Sequence, residues 1–206
     1  NEDVKKDRNI QVLVLAPTRE LVIQIDDVFR AFTENLKREI RTMAVYGGVS
    51  INPQMKGMFG VEILVATPGR LLDLIEHNAL SISQISHLVV DEADKMFQLG
   101  FEEEMNKLFA MMPVMKQTTL FSATLNEKVE DIKKRLTINP VLIEIKQDEI
   151  DIDQITQIAY HVTNETKGPF LRFLIKEQDI KQALIFTSST RIADHLVEKL
   201  KKNKIP

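Results

Sequence analysis

Leu88-Val89-Val90-Asp91-Glu92-Ala93-Asp94 is the stretch that most limits what this chain can become. Three apolar residues run directly into three carboxylates within four positions. A short apolar run ended by charge reads as a strand buried on both faces that opens at its carboxyl end into a crevice. In open α/β sheets, ligands bind at that edge. Asp91 and Glu92 are adjacent, so on an extended backbone they project to opposite sides and can do different jobs. An Asp at such a strand end suits Mg²⁺ in nucleotide hydrolysis. A neighbouring Glu suits proton acceptance from an attacking water. The plainer alternative is a solvated acidic turn with Asp94 as a helix N-cap.

The same grammar recurs along the chain. Residues 10–16 (IQVLVLA) form a buried-strand run that ends in Pro17-Thr18-Arg19-Glu20, with Thr18 placed to cap a helix. That helix carries Leu21, Ile25, Val28, Phe32 and Leu36 at three- and four-residue spacing, one apolar face. Residues 41–46 read as a strand closed by Gly47-Gly48, and 61–66 as a strand followed by Thr67-Pro68-Gly69-Arg70. Thr67 as cap with Pro68 at the first helical position suits a helix start. After the acidic strand come a helix over about 101–112, a strand at 118–122 ending in Ser122-Ala123-Thr124, a helix capped by Asn126, and a strand at 141–145. Six strands alternating with helices predict an α/β, doubly wound parallel sheet. Four polar strand tips then gather along one rim.

Residues 147–153 lie in an acidic stretch poor in apolar bulk and read as a linker, after which the pattern restarts. Strands are expected at 155–162 and 183–187, and helices at 169–176 and over Ile192, Leu196 and Leu200. The division expected is 1–146, a linker at 147–153, and 154–206.

Composition removes several function classes. With no cysteine, disulfides and thiolate metal sites are excluded. The four histidines share no ligand spacing, so zinc is not expected. No apolar run approaches the ~18 residues of a membrane helix, so no membrane partner is expected. A net charge of −3 gives no electrostatic support for nucleic-acid binding, and the absence of Trp argues against a base-stacking platform. Any nucleic-acid contact must come from local motifs.

Those motifs carry a family resemblance. PTREL at 17–21, Gly47-Gly48, TPGR at 67–70, DEAD at 91–94 and SAT at 122–124 occur in the order of the motifs of DEAD-box RNA helicases. Gly100-Phe101 and LIFTSST at 184–190 extend the likeness, which runs from about Ile10 to the end. The resemblance implies two RecA-like domains, the first truncated at its start, and an enzyme that couples ATP hydrolysis to RNA binding and duplex unwinding. It implies ATP and Mg²⁺ as cofactors and RNA as a partner held by its backbone without sequence preference. Asp91 would hold Mg²⁺, largely through water, and Glu92 would orient or deprotonate the hydrolytic water. Asp94 would bond to Ser122 or Thr124 of the Ser122-Ala123-Thr124 tip, linking nucleotide state to domain closure. Pro17, Thr18, Arg19, Glu20, Gly47, Gly48, Thr67, Pro68, Gly69 and Arg70 would form the RNA track, continued by Thr187 of the second domain. The setting implied is cytoplasmic, or nuclear in a eukaryote.

A P-loop needs Gly, then Lys, then Ser or Thr. The seven glycines are followed by Gly, Val, Met, Val, Arg, Phe and Pro, so none opens that motif. No arginine follows Arg191, so the late arginine-rich motif of the second domain is absent too. The chain is therefore expected to be an internal piece of a longer helicase. The resemblance also leads us to expect the P-loop strand beside the strand ending at Asp91. A DNA-directed translocase on the same core, and a non-catalytic RNA-binding scaffold, are the alternatives.

Overall fold

The computed structural model describes residues 10–145 and 156–205. The chain divides into two compact units, 1–143 and 144–206. The linker expected at 147–153 lies outside the described residues, as do 1–9.

The first unit is built on five parallel strands: β1 (Val12–Leu15), β2 (Thr42–Val45), β3 (Ile63–Ala66), β4 (His87–Val90) and β5 (Gln117–Leu120). Their order across the sheet is β2-β3-β1-β4-β5, paired residue by residue over four positions at each junction. β4 is therefore flanked by β1 on one side and β5 on the other. The expectation of an unfilled strand position beside β4 is overturned, because both its edges are already hydrogen-bonded. The hydrogen bonds run on beyond the strands, from Ala16 N to Ala66 O, Thr67 N to Val45 O, Asp91 N to Leu15 O and Phe121 N to Val90 O. Each polar tip thus leaves the sheet from a fixed point.

Alternation in the strands gives the sheet two apolar faces. Leu13, Leu15, Leu64, Ala66, Leu88 and Val90 are buried in the larger core with Leu71 and Leu74 of α3 (Pro68–Glu76), Met96 of α4 (Ala93–Gln98), Met105 and Leu108 of α5 (Glu102–Met111), and Val129 and Ile132 of α6 (Glu127–Leu136). Val14, Ala16 and Val65 pack on Val22 of α1 (Arg19–Thr33) in a smaller cluster on the other side. Leu21 and Ile25 of the stripe expected on α1 pack against this cluster, joined by Phe29. Val28, Phe32 and Leu36 are instead exposed by half or more, and the helix ends before Leu36. Val22 and Asp26 are the buried residues of the helix, and the Asp26 carboxylate pairs with Arg30 at 2.8 Å.

The strand expected at 141–145 is not formed. These residues are mostly apolar but pair with no strand among the described residues, and Val141 and Ile143 are more than four-fifths exposed. α2 (Ile51–Gly57) had not been expected. Among the described residues no helix is long and apolar enough to cross a membrane.

The second unit contains α7 (Asn164–Glu177) and α8 (Thr190–Lys202). α7 begins five residues before the expected start at Pro169, because Thr163 and Thr166 form a reciprocal capping box. The Tyr160 ring meets Phe170 edge-on at 4.9 Å. Described residues of the expected strands, 156–162 and 183–187, carry no strand pairing. Strand-like composition is not enough without a partner edge.

Candidate active site

Parallel strands send every carboxyl end to the same rim, so the tips after β1, β2, β3, β4 and β5 are neighbours through topology alone. The tip after β4 departs from the extended geometry expected of it. Glu92 has left-handed backbone (φ 48°, ψ 50°) and occupies the N-cap position of α4, so Asp94 lies inside the helix and is not its cap. The left-handed turn folds the Glu92 N–H back onto Asp91 Oδ1 at 2.9 Å. Glu92 Oε1 pairs with Lys95 Nζ at 2.7 Å, one helical turn on.

The three carboxylates have different surroundings. Burial pushes the Asp91 carboxyl above the usual range, opposed by the Glu92 N–H and reinforced by the Glu92 charge. An Asp that pays for its ionisation in this way gains when a cation arrives. No group of three or more His, Cys, Asp or Glu arranged to hold a metal ion together occurs among the described residues. A one-carboxylate site fits Mg²⁺, which keeps several waters, better than a cation that needs an all-protein cage. Asp94 is 5% exposed. Burial alone would raise its carboxyl, but the Thr124 and Ser122 hydroxyls and nearby backbone N–H groups outweigh that and hold it low. Thr124 Oγ1 donates to Asp94 Oδ2 at 2.9 Å. The Ser122 hydroxyl also lies 2.8 Å from Thr124 O, as donor to it. Ala123 lies between them in an exposed bend.

On the other half of the rim, Pro17 is buried, and Thr18 Oγ1 accepts from Leu21 N at 3.2 Å as the cap of α1. Its O–H remains able to donate. Arg19 and Glu20 are exposed in the first turn, and the Arg19 guanidinium stands 4.9 Å from the centre of the Tyr46 ring. Gly48 has φ +78°, a conformation that favours glycine, and a Cβ at Gly47 or Gly48 would meet nothing within 4 Å. These two positions therefore present bare backbone to solvent. Thr67 stands at the N-cap of α3 with Pro68 inside, but makes no side-chain cap bond. Gly69 is partly exposed.

Arg70 is 9% exposed, and its Nη2 donates to Val49 O at 2.7 Å. Its Nε lies 3.6 Å from Asp73, and neither Nε nor Nη1 has a hydrogen-bond partner among the described residues. Thr187 belongs to the second unit, where its hydroxyl donates to Ser189 O at 3.0 Å. Sequence reading missed Lys95, Gln54 and Tyr46. Only Lys95 had a usable signal, its i,i+3 spacing from Glu92.

Comparison with known proteins gives a consistent result. The profile of the DEAD/DEAH box helicase family matches residues 1–132. Eukaryotic initiation factor 4A of Caenorhabditis elegans is 38% identical over 201 residues, 97% of this chain and 50% of that protein. RNA helicase CrhR of Synechocystis is 33% identical over 196 residues, covering 94% of this chain and 39% of its own length. ATP-dependent RNA helicase DeaD of Escherichia coli is 34% identical over 194 residues, 94% of this chain and 31% of the relative. The chain spans about half the length, or less, of these curated relatives.

Proposed function

This chain belongs to the DEAD/DEAH box helicase family, and from that premise we propose that the whole protein couples ATP hydrolysis to RNA binding and local duplex unwinding. The observation that carries the reading is the rim itself. A carboxylate pair after β4 stands in the same row as hydroxyls, bare glycine backbone and arginines after β1, β2 and β3.

Mg²⁺ held by Asp91, largely through water, would neutralise charge on the ATP phosphates. Asp91 Oδ1 is oriented for that purpose by the Glu92 N–H. Glu92 uses Oε1 for Lys95, which leaves Oε2 to take a proton from water. Asp94 and Thr124 join the β4 tip to the β5 tip, so movement of either tip is felt by the other.

On the RNA side, Thr18, Arg19, Gly47, Gly48, Thr67, Gly69 and Arg70 offer hydroxyl, guanidinium and peptide N–H donors. Such groups hold phosphates and 2′-hydroxyls without reading bases. Thr187 would extend the track from a second helicase domain beginning near residue 154. The names of the relatives favour RNA over a DNA-directed translocase. The retained carboxylates favour an enzyme over a scaffold. In the whole protein, Arg19→Ala should weaken single-stranded RNA of any sequence and shallow the salt dependence of binding by about 0.7 in log–log slope. If Arg19 serves only as a surface charge, affinity and slope stay unchanged, and the track reading fails.

A further inference from the structure

β2 is an edge strand, hydrogen-bonded to β3 alone. Val45 O accepts from Thr67 N on the β3 side. In a strand, successive residues turn their peptide groups to opposite sides, so the N–H and C=O of Tyr46 point off the open edge. Both are satisfied by one side chain. Tyr46 N donates to Gln54 Oε1 at 3.3 Å, and Gln54 Nε2 donates to Tyr46 O at 3.2 Å. A carboxamide carries an acceptor and a donor side by side, the pattern of a peptide group, so Gln54 completes the edge as another strand would. Gln54 is 8% exposed, the only buried residue of α2.

This pairing fixes more than the edge. With its backbone clamped, the Tyr46 ring packs against the cluster of Val14, Ala16, Val22 and Val65, and Arg19 sits over its face. The far end of the same turn is held by Arg70 on Val49 O. Gly47 and Gly48 therefore span two anchored ends, and the exposed Arg19 guanidinium rests on a ring that is itself anchored.

We propose that Gln54 is a positioning residue for the RNA track, setting Arg19 and the Gly47-Gly48 turn through the two hydrogen bonds it makes to the Tyr46 backbone. The inference rests on the track reading above. Gln54 touches no RNA. It keeps the Arg19 guanidinium from exploring the rotamers open to a free surface arginine, so less order has to be created when a phosphate binds.

The test is a double-mutant cycle in the whole protein, with a single-stranded oligouridine titrated at two salt concentrations. Gln54→Met keeps the length and bulk of the side chain and removes both hydrogen bonds. It should weaken binding by about tenfold, the size of one hydrogen bond to a charged group. It should also shallow the salt slope as Arg19→Ala does, by about 0.7. Added to Arg19→Ala, it should change affinity by less than about twofold, since coupled residues do not add. A merely structural loss lowers the folded fraction and leaves the slope alone. If Q54M melts below the assay temperature, Gln54→Glu asks the same question, because it keeps an acceptor for Tyr46 N and removes the donor to Tyr46 O. Full additivity of the folded Gln54 variant with Arg19→Ala, or an unchanged slope in it, overturns the inference and leaves the track reading standing. No effect of Arg19→Ala itself overturns the track reading, and this inference with it.

Discussion

Thr124 donates its hydroxyl proton to Asp94 at 2.9 Å, and so bolts the tip of β5 to the first turn of α4. Asp94 is nearly inaccessible to water, so a carboxylate stripped of this donor must either stay charged with less compensation or take up a proton more readily.

Thr124→Ala should therefore cost about 1–3 kcal/mol, the range for a buried polar group left short of a partner, measured by denaturant unfolding. In the whole protein, replacing Ser122 and Thr124 together with Ala should spare ATP hydrolysis more than duplex unwinding. Equal loss of both activities would make these hydroxyls direct ligands of the chemistry instead of couplers.

Asp94 also predicts a pH dependence. Its folded-state carboxyl is held below the ordinary 3.8, so the native state binds the proton less readily than the unfolded chain. Its stabilisation is complete above that value and is lost as pH falls through and below it. An acid-unfolding titration should show Asp94→Asn losing part of the wild-type sensitivity below about pH 4, where linkage places the effect.

Asp91 has the opposite sign. Burial lifts its carboxyl above 3.8, so the folded state binds the proton more readily, and stability falls as pH rises through that range. Asp91→Asn should melt higher than wild type at pH 7, and the difference should close in acid. An Asp91→Asn melt at or below wild type at pH 7 would show that the carboxylate is stabilised by something other than the contacts described.

Hydrolysis by this 206-residue chain alone should be negligible, because none of its seven glycines leads into Lys-Ser or Lys-Thr. Without P-loop amides and lysine, the β- and γ-phosphates lose their main ligands. Phosphate release should match a Glu92→Gln control. In the whole protein, that same substitution should lower the hydrolysis rate by about 10² to 10⁴ while ATP and RNA still bind.

Much of the first unit was legible because each buried strand is an apolar run that stops abruptly at polar residues. The runs ending at Pro17, Thr67 and Asp91 all became strands of one parallel sheet. The caps Thr18 and Asn126 were readable for the same local reason, a side chain bonding to a backbone N–H three residues on. What failed depended on partners. Residues 141–145 have strand composition but pair with no strand among the described residues. The inner face of α1 was legible only in its first half, where Leu21 and Ile25 pack inward, while Val28 and Phe32 at the same spacing lie beyond the reach of the sheet and are exposed. Within the site, the Glu92–Lys95 pair follows from helical spacing, but the left-handed turn at Glu92 does not, since glutamate carries no preference for it. Gln54 was invisible for a different reason. Its importance lies in the unpaired edge it faces, and an edge strand cannot be told from a central one by its own residues.

The backbone at Glu92 has an evolutionary consequence. A left-handed residue with a Cβ costs roughly 1–2 kcal/mol relative to ordinary helical backbone, and glycine escapes most of that cost. Any laboratory selection that rewards heat resistance without asking for hydrolysis should drift away from glutamate at this position, toward glycine or asparagine. If Glu92 serves hydrolysis as proposed, thermal hardiness and turnover pull in opposite directions at this one residue.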